Sequence, residues 1–239
     1  MSPKSKAKPE DMPKASRARV VQEDEYVLSA DEQRQFLVQL RLKQTQIPPY
    51  FLSKTFQNFE TRNSTERKQL LMMAKHYVQN FGDPANIGRP GAILHGATGS
   101  GKTHIVCAIL HELILRGHRA LFYSVPDFLK SLRDTISNPE KTQEEILSEA
   151  AQVKVLALDD LGAEKTSDFT MDRLYWIINE RYCNNRATLV TTNYSWPDDL
   201  EKAVGARITS RLAEMCENIG PFPNEDWRMK NAGLKRRIN

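Results

Sequence analysis

Residues 96 to 103 read Gly-Ala-Thr-Gly-Ser-Gly-Lys-Thr. The spacing G-x-x-x-x-G-K-[ST] is that of a loop that cradles nucleotide phosphates. Such a loop turns backbone N–H groups inward at anionic oxygens, and Gly96, Gly99 and Gly101 permit that backbone. The binding set therefore reads Gly96, Ala97, Thr98, Gly99, Ser100, Gly101, Lys102, Thr103 and the following His104. Lys102 is expected on the β and γ phosphates, and the Thr103 hydroxyl on Mg²⁺. The apolar run "AILH" before the loop and the helical pattern after it supply the required context, and the start of the helix adds attraction for anions.

A second group of chemistry-bearing residues lies at the end of "VLALDDLG". Asp159 is predicted to hold the water shell of a Mg²⁺ ion. Asp160, one residue on, is predicted to polarise an attacking water. "TLVTTN" ends another apolar run on Asn193, which would point into the same cleft and orient the water or touch the γ phosphate. Farther on, "VGARITSRLAEMC" carries Arg207 and Arg211 four residues apart, on one helical face. They are either surface charge or an arginine finger offered to the ATP of a neighbouring copy.

These residues need a frame that brings strand ends together. From residue 92 onward, short apolar runs alternate with helical patterns: helix to Gly117, strand 120–125, helix 126–136, strand 153–162, helix 169–185 and strand 187–193. Such alternation predicts an α/β fold, a parallel sheet flanked by helices. Upstream, "SADEQRQFLVQLRLKQTQ" (29–46) reads as a helix opened by Ser29 and Glu32 at capping-box spacing, with Phe36, Leu37 and Leu40 on one face. "IPPYF" ends it, so it is expected to dock on a partner. Residues 64–81 read as another helix. The domain plan is a flexible basic arm over 1–28, an amphipathic partner-binding helix over 29–46, and an ATPase domain over 50–239.

Composition agrees with an ordinary globular chain, at 40% hydrophobic and 27% charged residues. The apolar runs fall far short of the ~20 residues of a membrane helix, so a cytoplasmic location without membrane contact is expected. Residues 1–19 hold six basic and two acidic groups, and the last twelve residues hold five basic and no acidic group. Residues 20–227 hold 23 basic and 28 acidic groups. Basic ends on a slightly acidic body suit contact with nucleic-acid phosphates. Cys107, Cys183 and Cys216 are scattered and read as buried reduced thiols.

With these residues in order, the chain resembles the DnaC/IstB family of AAA+ ATPases, most of all its DnaC-type replicative helicase loaders. The segments that carry the resemblance are "TFQNF", "GATGSGKTH", "FYSVPDFLKSLRD", "VLALDDLGAEKTSDF", "TLVTTNYS" and "GARITSRL", across about residues 50–228. The resemblance implies a Walker A pair in Lys102 and Thr103 and a Walker B pair in Asp159 and Asp160. It makes Asn193 the sensor residue and Arg211 the finger, with Arg207 as rival. It puts Phe56 and Phe59 near the adenine, and Arg228 of "DWR" at a second sensor position. It implies ATP and Mg²⁺, self-association through ATP sites, a replicative helicase as partner, and single-stranded DNA, with Lys130 and Arg133 as DNA-facing candidates. Asp160 stands where many AAA+ proteins have Glu, and the shorter side chain suits slow, switch-like hydrolysis. An IstB-like regulator of a transposase on duplex DNA is the alternative. A small-molecule P-loop kinase and an ATP-binding adaptor without turnover are further readings.

Overall fold

The computed structural model describes residues 29–84, 88–135, 142–164, 167–231 and 233. The basic arm expected over 1–28 and the last basic residues of the chain lie outside the described residues. Five parallel strands form one sheet in the order β2-β3-β4-β1-β5. They are β1 Gly91–Gly96, β2 Ala120–Ser124, β3 Val155–Asp159, β4 Ala187–Thr192 and β5 Cys216–Phe222. Side chains alternate between the two faces, as the pleat requires. Ala92 and Leu94 enter one core with Val155 and Ala157. Ile93 enters the other with Leu156 and Leu158. Both faces of the sheet are therefore covered, which is why its strands are apolar throughout.

The first core is built on α1 Ala30–Gln44, α2 Thr65–Gln79 and α3 Lys102–Leu115. α3 follows the phosphate loop directly and is buried along most of its length. The second core is built on α4 Val125–Asp134, α5 Gln143–Gln152, α6 Asp168–Cys183, α7 Asp198–Val204 and α8 Ala206–Met215. A short helix α9, Trp227–Asn231, ends the described chain apart from residue 233. Among the described residues no helix is long and apolar enough to cross a membrane.

The capping box at Ser29 is formed: its hydroxyl accepts from Glu32 N at 3.3 Å, and Glu32 Oε2 accepts from Ser29 N at 2.8 Å. α1 docks on its own domain, through Val38 and Leu42. The stripe read from sequence faces outward, with Phe36 60%, Leu37 48% and Leu40 42% exposed. Thr45 O accepts from Phe122 N at 2.7 Å, and Gln46 donates to the Tyr123 hydroxyl at 2.9 Å. Residues 45–47 thus cover the outer edge of β2, a row of backbone groups that would otherwise be open. The chain passes from α1 into the domain without leaving the core, since Ile47 is buried there as well.

β5 and α7 had no counterpart in the sequence reading. β5 contains Gly220 and Pro221, which break a strand pattern. It is an edge strand, where a missing N–H is tolerated. Of the three cysteines, Cys107 and Cys216 are buried as expected, while Cys183 is exposed at the end of α6.

Candidate nucleotide site

The phosphate loop leaves β1 and enters α3, with Gly101 as the N-cap. Gly99 has φ +74° and Gly101 φ +105°, in the region that favours glycine. Space closes both positions as well. A Cβ on Gly99 would meet the Asp226 carboxylate, and one on Gly101 would meet the Phe59 ring. Inside the loop the Ser100 hydroxyl donates to Ala97 O at 2.6 Å.

Lys102 is buried and makes three bonds. Its Nζ donates to Gly96 O at 2.9 Å, Ala97 O at 2.8 Å and Asn193 Oδ1 at 2.8 Å. Burial pulls its pKa down to about 8, against the pull of Asp160 and Asp159. The Thr103 hydroxyl shares its proton with both Asp159 oxygens, at 3.0 and 3.1 Å. Asp159 also accepts from Thr191 Oγ1 at 2.6 Å. Burial pushes its pKa up to about 6, and bonds from Thr191 and Thr103 oppose the rise.

Asp160 has φ +60°, uncommon for a residue with a Cβ. β4 holds that turn. Asp160 N donates to Thr191 Oγ1 at 2.8 Å, Leu161 N to Thr191 O at 2.8 Å, and Thr192 Oγ1 to Leu161 O at 2.8 Å. The turn aims Asp160 into the cleft. Asn193 Nδ2 donates to Asp160 Oδ1 at 3.4 Å while its Oδ1 accepts from Lys102. Asn193 therefore bridges the lysine of the phosphate loop to the second acid. The donor set fits Mg-nucleotide: a hydroxyl and a carboxylate, both hard oxygen ligands, lie in contact beside an N–H-rich loop.

A cleft of about 430 Å³ runs from these groups to Phe59, Trp227 and Arg228. His104 lines it, with Nε2 2.9 Å from Thr55 O, so that nitrogen is the donor. The Phe59 ring meets the His104 ring edge to face at 5.2 Å. Phe56 does not line the cleft; it is packed in the core at 5% exposure.

Three contributors were missed from sequence. Arg67, on α2, donates to Glu60 O at 2.8 Å and to Ser100 O at 2.7 Å. Its guanidinium lies between the rings of Phe59 (4.4 Å) and Trp227 (4.3 Å). Trp227 N donates to Gly99 O at 3.0 Å. Arg67 and Trp227 thus clamp the outside of the loop, and Asp226 rests against Gly99.

Arg207 and Arg211 stand away from the cleft lining. Arg211 is half-buried against α6: Nε donates to Asn179 at 2.8 Å and a terminal nitrogen to the Tyr175 hydroxyl at 2.9 Å. Arg207 is exposed, 6.0 Å from the centre of the Tyr175 ring.

The model of the IstB-like ATP binding protein family matches residues 6–233, and the chain belongs to that family. The replicative helicase loader DnaC of Escherichia coli strain K12 is 28% identical over 181 residues, covering 76% of this chain and 71% of that protein. A crystal structure of the DnaC helicase loader aligns with TM-score 0.63 and 27% identity, over 72% of this chain and 98% of that one. A structure of AMPPCP-bound DnaA from Aquifex aeolicus has the same fold, with TM-score 0.59 and 22% identity over 78% of this chain and 57% of that one. The architecture is that of the AAA+ P-loop ATPases.

Proposed function

We propose that this member of the IstB-like ATP binding family is an ATPase that loads a ring-shaped replicative helicase onto single-stranded DNA. The observation that carries the reading is the chain of bonds Lys102–Asn193–Asp160, which links phosphate binding to the group that would handle water. A γ phosphate drawing Lys102 away from Asn193 frees that amide to turn toward phosphate and water. Asp160 then accepts a proton from the attacking water. Bound Mg²⁺, held by Thr103 and Asp159, would supply charge stabilisation to the phosphates. The catalysed step is hydrolysis of the terminal phosphate.

The name of the DnaC relative supports helicase loading. The outward stripe of Phe36, Leu37 and Leu40 offers a helicase-facing surface. Single-stranded DNA suits the exposed Lys130 and Arg133 of α4. Arg133 and Arg173 approach the Phe169 ring to 5.8 and 5.3 Å, a mix of cation and aromatic that suits bases and phosphates together. Arg207, exposed and unbonded to α6, is the group free to complete the ATP site of a neighbouring copy. The family match also supports a second reading, an IstB-like regulator of a transposase.

The deciding experiment is capture of partners by the tagged full chain with ATP, tested against purified replicative helicase and purified transposase. Helicase capture that is lost on Phe36→Ser/Leu40→Ser supports the loader. Capture of transposase alone sinks it.

A further inference from the structure

In a parallel sheet all strands begin at one end, here the end opposite the phosphate loop. Arg119 precedes β2, Lys154 precedes β3 and Arg186 precedes β4. Ala120 pairs with Val155, and Val155 with Ala187, so the three cations stand side by side. Ala92 pairs with Leu189, and three residues back on both strands Arg89 falls beside Arg186. Four neighbouring chains thus carry one row of cations, about 4.8 Å apart and roughly 14 Å long. The surface agrees with the register: Arg89, Lys154 and Asn185 line one hollow, and Arg119 and Lys154 line the next.

Helices α3, α5 and α6 end at this face, and cations there offset the negative helix ends. That role accounts for two arginines. Arg116 donates to Val78 O, and Arg186 donates to Gln152 O. It does not account for Arg89, Arg119 and Lys154, which are exposed and, among the described residues, have no hydrogen-bond or ion-pair partner. Arg41 and Arg116 widen the field. With Lys154 they add to the burial that lowers the pKa of His118. Asp83, Glu217 and Glu149 border the hollows, so six cations face three carboxylates. This excess stands on a body, residues 20–227, in which acids outnumber bases 28 to 23.

The face also lacks a stacking platform. The exposed aromatics among the described residues, Phe36, Tyr50, Trp176 and Tyr194, line neither hollow. Single strands are held largely by base stacking, whereas a duplex is held through its phosphates. Duplex DNA carries about one charge per 1.7 Å of axis, so a 14 Å row meets roughly eight phosphates, about half of them on the near side. We propose that the row Arg89, Arg186, Lys154, Arg119 is a docking surface for the phosphate backbone of duplex DNA, at the end of the domain opposite the ATP cleft. The surface is sequence-independent, and it does not rest on the helicase-loader reading.

The test uses the full chain, a labelled mixed-sequence duplex and a labelled oligo-dT, with anisotropy followed across a salt series. The variant R89Q/R119Q/K154Q removes three free charges, and R89K/R119K/K154R keeps them. ATP binding checks the fold of both. Each lost phosphate contact removes about 0.9 from the salt slope for duplex, so the neutral variant should lose about 2.7 in slope and on the order of 10²-fold in affinity at 0.1 M salt. The charge-keeping variant should bind duplex as the parent does, and oligo-dT binding should change less than threefold in both. The basic ends contribute equally to every protein and cancel in the differences. An unchanged duplex slope overturns the proposal. So does a loss that the charge-keeping variant fails to restore, an equal loss on oligo-dT, or loss of polyglutamate binding with duplex binding intact.

Discussion

The cleft and helix α8 use their basic groups in opposite ways. In the cleft, Lys102 has given all three protons of its ammonium to loop and sensor oxygens, and Asn193 passes the link on to Asp160. Every group is bonded to another part of the same site. On α8, Arg211 is bonded to α6 and Arg207 is exposed. Phosphate binding is therefore assembled within one chain, while any finger must act outside it. Of two arginines one turn apart, the structure leaves only one free to do so.

The largest test of that contrast is Arg207→Ala. If Arg207 reaches a neighbour's ATP, DNA-stimulated hydrolysis should fall about 10³-fold, the low end of what a finger contributes. Nucleotide affinity measured on isolated chains should not change. Lys102→Ala should do the reverse at the level of binding. It removes a charged donor aimed at the phosphates, so ATP affinity by calorimetry should drop on the order of 10²-fold, about two strong charged hydrogen bonds. Equal ATP affinity in the Lys102 variant and the parent would break the site assignment. Weak ATP binding by the Arg207 variant would break the contrast itself.

The two regions also differ in how far the sequence disclosed them. Gly96 to Thr103, Asp159, Asp160 and Asn193 were legible because each ends a strand or opens a helix, and parallel strands bring such ends to one place. Arg67, Phe59 and Trp227 were not. They come from three segments more than 150 residues apart in the extreme, and only packing brings them to the loop. Helix α1 was legible as a helix but not in its orientation. Its residues offer two apolar stripes, Val38 with Leu42 and Phe36 with Leu40, and periodicity alone does not say which one the domain takes. The row of cations before the strands was equally hidden, because it exists only through the register of four strands.

Arg67 tests whether the hidden clamp matters to the legible loop. Arg67→Met keeps the apolar stem but loses the bonds to Glu60 O and Ser100 O and the charge between two rings. Stability should fall by about 2 kcal/mol, as for a broken charged hydrogen-bond group. ATP affinity, measured well below the melting temperature, should weaken roughly tenfold if the clamp holds the loop in its binding shape, since 1.4 kcal/mol is a factor of ten. A lower melting temperature with unchanged affinity would reduce Arg67 to a structural brace.

The smallest effect is expected at Arg211, and it sharpens the comparison most. Its guanidinium joins α8 to α6 through Asn179 and Tyr175, with the Tyr175 ring beneath it at 4.8 Å. Arg211→Ala should cost about 1 kcal/mol, or roughly 2–4 °C in melting temperature for a domain of this size. Tyr175→Phe removes only the hydroxyl, and the double variant should be less than additive, because both changes delete one bond. If instead Arg211→Ala leaves the melting temperature alone and abolishes stimulated hydrolysis, the roles exchange. Arg211 would then have to leave Asn179 and Tyr175 when a neighbour docks, and α6 would become a holder that releases the finger only on assembly. The melting curve and the hydrolysis rate of one variant thus separate a brace from a stored finger.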